Sequence, residues 1–442
     1  MELPAGTEAL ETRGAVARAA ARGATQLLIA RCLFVVFGYL VSVVLARGLG
    51  PQEFGVYGVI VSFLAWIEMG TSAGVPAAAA KLLPRAGAQA ARVEQSARLL
   101  STVLGSVLLL LAWACAPLLA RLFGIEAGAG LFRIAAMNIP LVAVYYAYQG
   151  ILNGHRRFGL QAAAFALHGF VRLVGIGAIV LIGLDVAGAL GVNVCATAAV
   201  VLFLLVRHPP FGRPGPGSDL VAMIRLAVPM GLYIIALQFL IGIDLWSLKA
   251  LRRDQGEEVG IYVAALMLAK ALLIVPPVLS GVLFGSLSWM LARGDEEGAA
   301  RFLREAGRLA CILLAPACLL IAIDGRGLLT LLYSDVYASG GRFLQLQVAA
   351  IGLFAFLDLY ASALLVSGAQ MRAAGSLLMV IPCAVLANRL LIPAWGAVGA
   401  AASLLAAMLL GTALCARLAF RRFGPLLSLR SVLRVAAAAG LV

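Results

Sequence analysis

Of four cations inside apolar runs of this sequence, Arg389 being the fourth, three stand where a charge could do chemistry and is expensive to keep: Arg31 in "LLIARCLFVV", Arg172 in "FVRLVGIGAIVLIG" and Lys270 in "LMLAKALLIVPP". No other charge lies between Glu258 and Arg293. A charged side chain near a bilayer centre costs about 2.5–3.5 kcal/mol on insertion scales, so it persists only where it faces protein, a partner or water. At a helical rise of about 1.5 Å per residue, Arg172 and Lys270 sit roughly 17 Å into their runs and Arg31 about 10 Å into its own. Guanidinium and ammonium groups at such depth can neutralise an anion through charge-assisted hydrogen bonds. The competing readings are snorkelling of Arg31 to the interface and helix-locking ion pairs for Arg172 and Lys270.

Acids and polar stripes accompany the cations. Glu68 and Asp358 lie deep in runs of their own. They can pair with the cations, line a cavity, or take a proton or sodium ion that drives a cycle. Gln161, His168 and Arg172 follow one another at i, i+7 and i+11, and Asn138, Tyr145 and Gln149 repeat that spacing. Each set therefore forms a single stripe on a helix. Polar stripes in membrane helices face protein or water, where they can hydrogen-bond a polar ligand or glue helices together. Catalysis finds little support. His155, His168 and His208 read as isolated, without metal-ligand spacing, and HExxH, GxSxG and P-loop patterns are absent, so no cofactor and no metal are expected.

What must position these residues is a membrane. The chain has 442 residues, 63% hydrophobic and 12% charged, with a mean hydropathy of +1.02. That composition cannot present an ordinary water-facing surface. Twelve runs long enough to cross a bilayer as helices fall near 24–46, 54–78, 99–120, 131–153, 160–183, 186–206, 220–245, 259–290, 307–324, 343–367, 373–393 and 396–418. Strand-type alternation is absent, which disfavours a barrel. The expectation is an all-α polytopic protein. Residues 1–23 carry Arg13, Arg18 and Arg22 without a cleavage site and read as a cytoplasmic tail. With the N-terminus inside, the inner regions hold 22 Lys and Arg and the outer loops 8, as the positive-inside rule requires. The net charge of +14 thus reports topology, and no nucleic acid is implied. The seven cysteines lie within the predicted helices without CxxC pairing and read as small hydrophobes.

The chain also repeats itself. "LARGLGPQEFGVY" and "LKALRRDQGEEVGIY" place Gly55-Val56-Tyr57 against Gly260-Ile261-Tyr262, an offset of 205. "LDVAGALGVNV" and "IPAWGAVGAAA" set Gly188 against Gly396, an offset of 208. Two matches at nearly one offset imply two copies of six helices, and an even number inserts both copies in the same direction. The expected organisation is a first lobe over 24–206, a Pro/Gly-rich cytoplasmic linker over 207–219, a second lobe over 220–418 and a basic tail over 419–442 that could begin a further helix.

The run "LARGLGPQEFGVYGVIVSFLAWIEMGTSAGVPAAAAKLLPR" resembles the signature region of bacterial polysaccharide-unit flippases, the Wzx type within the multidrug/oligosaccharidyl-lipid/polysaccharide exporter superfamily. "GIDLWSLKALRRDQGEEVGIYVAA", "LLYSDVYASGGRFLQLQ" and "IPAWGAVGAAAS" match further family pieces in order. The resemblance implies two six-helix lobes around a central cavity and the movement of a lipid-linked glycan between leaflets of the bacterial cytoplasmic membrane. Given such a substrate, the depth of Arg31, Arg172 and Lys270 makes them candidate ligands of its polyprenyl pyrophosphate, and the stripes of Asn138, Tyr145, Gln149, Gln161 and His168 a glycan-lining wall. Asp244 joins Glu68 and Asp358 as a cavity or coupling residue, although Leu245-Trp246 stand where the family often has polar side chains. Expected partners are the glycan lipid, the bilayer, and polymerase and other assembly proteins. The alternatives are a drug or ion antiporter of the same superfamily, for which a more acidic lining is expected, and a membrane enzyme or scaffold of polysaccharide assembly.

Overall fold

The computed structural model describes residues 5–72, 74–125, 128–183, 185–209 and 220–424. The described residues are all-α, with no strand. The helices are α1 Ala5–Ser72, α2 Gly74–Ala86, α3 Ala90–Phe123, α4 Gly128–Ala136, α5 Asn138–Gly154, α6 Phe158–Ile182, α7 Val186–Arg207, α8 Leu220–Leu251, α9 Gly256–Lys270, α10 Val275–Ala292, α11 Glu296–Ile323, α12 Gly325–Leu332, α13 Gly341–Val366 and α14 Gln370–Phe423. Most of the expected linker and the end of the basic tail lie outside the described residues.

Twelve crossings emerge from these helices once their breaks are read. Among the described residues eight helical stretches are long and apolar enough to span a membrane, and two of them, Cys32–Pro84 and Met371–Phe423, run to 53 residues. About 20 residues suffice for one crossing, so each of these holds two. The breaks fall at Gly50 (φ 73°) and Gly396 (φ 56°), in the left-handed region that glycine enters without a Cβ penalty. The bent pair α11–α12 supplies another crossing. The twelfth is α9 plus α10, interrupted by a 3-10 turn, Ala271–Ile274.

Alternate turns gather at opposite ends. At one end, a Cβ on Gly124 would touch the Arg253 side chain at 2.9 Å. There too Tyr337 Oη donates to the Ala46 carbonyl at 2.7 Å, and Arg47 donates to the Leu331 and Leu332 carbonyls at 2.7 and 2.9 Å. At the other end Glu94 meets His155 and His208, and Arg422 pairs with Glu296.

Helices α1 to α7 pack among themselves, chiefly α1 on α6, α3 on α5 and α2 on α5. Helices α8 to α14 do the same, chiefly α13 on α14 and α14 on α8. The two bundles meet along a seam of α1, α2 and α3 against α8 and α9. Glycine sets how close they come. A Cβ on Gly55 would lie 2.8 Å from the Gly260 amide nitrogen, and one on Gly260 would overlap the Pro51 carbonyl. The repeat glycines read from the sequence thus touch backbone to backbone. Further along, Trp66 Nε1 donates to the Ile235 carbonyl at 3.1 Å and Trp246 Nε1 to Ser62 Oγ at 2.9 Å. Phe63, Trp66, Phe239 and Trp246 form one aromatic cluster across the seam.

Candidate functional site

In the first bundle the second limb of α1 presents Tyr57 and Glu68, eleven residues apart on one stripe. Helix α6 brings Arg172 to them. Arg172 Nη2 donates to Tyr57 Oη at 2.9 Å, and the guanidinium is within electrostatic reach of Glu68. Asn138, at the start of α5, donates from Nδ2 to Glu68 Oε1 at 2.8 Å. The two predicted stripes come together here, because Tyr145 of α5 stacks on His168 of α6 with ring centroids 5.9 Å apart. His168 Nε2 lies 3.2 Å from Thr197 Oγ1. Asn138, Tyr145, Gln149 and Gln161 are buried within the bundle. Both amide atoms of Gln149 and the Oε1 of Gln161 have no partner among the described residues, which leaves hydrogen-bonding capacity stored inside the apolar span.

The second bundle builds a parallel constellation from different helices. Asp244 of α8 is 1% exposed and accepts a hydrogen bond from the Tyr262 hydroxyl of α9. Lys270, eight residues beyond Tyr262 on the same helix face, lies within electrostatic reach of Asp244. Gln347 of α13 donates to the Tyr262 carbonyl at 3.5 Å.

Lys270 also closes α9. Pro276 and Pro277 follow shortly after it. Proline removes a helix hydrogen bond and disfavours α conformation just before it, so the helix stops and restarts. Lys270 thus occupies the last turn of a half-helix, the end at which the helix dipole is negative and favours a cation. Asp358 of α13 faces Tyr233 of α8 electrostatically. Arg31 is on the first limb of α1, and its side chain lies outside the described residues.

Two groups of functional side chains were not singled out from the sequence. Tyr57 and Tyr262 were visible as the third residues of the repeated Gly-x-Tyr, a signal that marked the duplication but not their hydroxyls. The second group corrects the reading of three isolated histidines. His155 Nε2 lies 2.6 Å and His208 Nε2 3.1 Å from the two oxygens of Glu94, which Arg98 also meets at 3.0 Å. These ligand atoms could in principle hold a metal ion. Arg157 Nη1, however, lies 3.3 Å from His208 Nδ1. A guanidinium only donates, so that Nδ1 is the acceptor and Nε2 carries the proton. A metal on Nε2 would strip the ring of both protons and add charge beside two arginines. The cluster is instead a hydrogen-bonded staple joining α3 to the ends of α5 and α7.

The family described as polysaccharide biosynthesis protein has a sequence model that matches residues 20–288, more than half of the chain. The chain belongs to this family. Both constellations lie inside the matched region, apart from Gln347 and Asp358. No curated protein sequence matches the chain. Among solved structures, it is similar to a multidrug resistance MATE family transporter of the MOP superfamily in an inward-facing conformation, with 15% identity, a TM-score of 0.74, and coverage of 91% of this chain and 95% of that one. It is also similar to the lipid II flippase MurJ in an inward closed conformation, with 12% identity, a TM-score of 0.75, and coverage of 94% and 90%. An outward-facing MATE structure matches at 16% identity with a TM-score of 0.65, covering 95% and 96%. The chain therefore has the fold that these structures share, a multi-pass helical one with long apolar spans.

Proposed function

We propose that this chain flips a polyprenyl-pyrophosphate-linked oligosaccharide, of the undecaprenyl type, across the bacterial cytoplasmic membrane by alternating access, for O-antigen, capsule or exopolysaccharide assembly. The observation that carries this reading is a pair of half-satisfied acid–cation sites deep in the spans, Glu68 with Arg172 and Asp244 with Lys270, one in each bundle. In this reading Arg172 and Lys270 receive the two phosphates of a lipid head group, and Arg31 adds a third cation nearer the cytoplasm. The bundles act as lobes over 24–206 and 220–418, joined by the 207–219 linker, with the N-terminus in the cytoplasm. In this topology the Gly55–Gly260 end of the seam is the outer side, closed in the inward-facing state. The head group enters from the cytoplasm while the prenyl tail stays in lipid, and the lobes then rock about the seam.

Asn138, Tyr145, Gln149, Gln161 and His168 supply the stacking face and hydrogen bonds that a glycan uses. Glu68, Asp244 and Asp358 are carboxyls that can take up a coupling ion once their cations turn to the substrate. Membrane potential assists, because moving one net negative charge outward through 100 mV is worth about 2.3 kcal/mol. The test is complementation of a deletion strain. Arg172→Ala and Lys270→Ala should abolish surface polysaccharide while the protein still inserts and accumulates. Normal polysaccharide from both variants would remove the pyrophosphate assignment.

A further inference from the structure

In both bundles an acid and a cation lie within electrostatic reach of each other, yet each makes its hydrogen bond elsewhere or none at all, and no direct bond joins them among the described residues. Glu68 takes its hydrogen bond from Asn138 while Arg172 turns Nη2 to Tyr57. Asp244 takes its hydrogen bond from Tyr262 while Lys270 stays at electrostatic range, and Asp244 Oδ1 has no partner among the described residues. An oppositely charged pair this deep gains strongly by closing, so something must hold each one open. The group found at that place in both halves is the tyrosine of the repeated Gly-x-Tyr, 5% exposed at Tyr57 and 0% at Tyr262.

We infer that Tyr57 and Tyr262 are positioning residues that prop open the two acid–cation pairs, keeping Arg172 and Lys270 available to an incoming anion. The inference rests on the proposed role of these cations as pyrophosphate ligands. The props act on opposite members of their pairs. Tyr57 offers its oxygen to the cation and draws Arg172 away from Glu68. Tyr262 offers its proton to the acid and reduces the demand Asp244 makes on Lys270. Losing either hydroxyl therefore has the same outcome: the pair collapses and the cation is withdrawn from substrate. Losing the acid as well removes what the cation would collapse onto. The double variant should then regain anion binding, though not the coupling assigned to the acid, whereas a tyrosine needed merely for packing gives a double variant that binds no better than the single.

The experiment titrates the purified full-length protein in detergent with farnesyl pyrophosphate, a soluble isoprenoid pyrophosphate, by calorimetry. Tyr262→Phe and Tyr57→Phe should each weaken binding about tenfold or more, the scale of one hydrogen bond to a charged group. Tyr262→Phe with Asp244→Asn, and Tyr57→Phe with Glu68→Gln, should return binding to within about threefold of wild type. Double variants as weak as the singles overturn the inference. Thermal melts of all variants identify misfolded protein.

A second readout does not use the ligand. Acylation of Lys270 by an amine reagent, followed by mass spectrometry, should fall in Tyr262→Phe and recover when Asp244→Asn is added. Wild-type protein that ignores farnesyl pyrophosphate while Lys270 follows this pattern would reject the pyrophosphate reading and keep the prop. Unchanged Lys270 reactivity in Tyr262→Phe rejects the prop.

Discussion

Adding one methyl group at Gly55 should open the tight end of the seam. A Cβ there lies 2.8 Å from the Gly260 amide nitrogen and 3.0 Å from the Gly256 carbonyl oxygen. Ordinary carbon contacts are about 3.5–4.0 Å, so the backbones must part by roughly 0.7 Å. Both opposing atoms are main chain, and no rotamer change can relieve them. Overpacking of this kind costs about 1–3 kcal/mol. At ~2 kcal/mol the closed arrangement loses roughly 30-fold relative to one in which this end is apart, since about 1.4 kcal/mol is a factor of ten. Gly260→Ala should act more strongly, because its Cβ would overlap the Pro51 carbonyl. The assay is double electron–electron resonance between spin labels at Gln52 and Glu257, exposed residues on opposite sides of this end, in a background without native cysteines. Gly55→Ala should enlarge the long-distance population. Gly191→Ala is the control, for a Cβ there meets nothing within 4 Å. Distance distributions identical to wild type in both Gly55→Ala and Gly260→Ala would refute the claim that backbone contact holds this end shut.

Other perturbations follow from the same geometry. Glu94→Gln keeps the shape but removes the charge that His155, His208 and Arg98 share, and should cost about 2 kcal/mol, read as a lower melting temperature in detergent. Zinc should leave the wild-type melt unchanged; a zinc-dependent rise would overturn the tautomer that Arg157 imposes on His208. Trp246→Phe and Ser62→Ala each break the same bond across the seam and should each cost about 1 kcal/mol, with the double variant costing no more than about one of them. Pro276→Ala with Pro277→Ala lets α9 run on into α10, so stability should hold or rise while polysaccharide export fails, since Lys270 no longer ends a helix. Export at wild-type level in that variant would show that the break is unnecessary.

The crossings were legible because hydropathy over some 20 residues averages out local accident, and a bilayer imposes one length on every element. The depth of Arg172 and Lys270 followed from the same count. The break at Lys270 was written in Pro276 and Pro277, but a mean over 259–290 conceals it. The departure at Leu245-Trp246 is explained by packing: Trp246 is committed to the seam through Ser62, so polarity at that position would disturb the contact between bundles. The staple stayed hidden for a different reason. His155 and His208 reach Glu94 across 61 and 114 residues of sequence, and no spacing rule links side chains that only tertiary packing of three helices brings together.

The two tyrosines show what a duplication keeps and what it leaves free. Gly55 and Gly260 must remain glycine for the bundles to touch, and that contact fixes where Tyr57 and Tyr262 stand. Around those fixed hydroxyls the charges have exchanged places. In the first half the acid shares the tyrosine's helix and the cation comes from α6; in the second the cation shares it and the acid comes from α8. A phenol permits this exchange because it both accepts from a guanidinium and donates to a carboxylate. The result has electrostatic value for a carrier. Each empty site is close to neutral, so the lobes can rearrange without an uncompensated charge in the low-dielectric interior, a cost of several kcal/mol that neither lobe then bears. In the proposed cycle an arriving pyrophosphate would need only to turn two cations toward it, with the tyrosines holding their former partners apart.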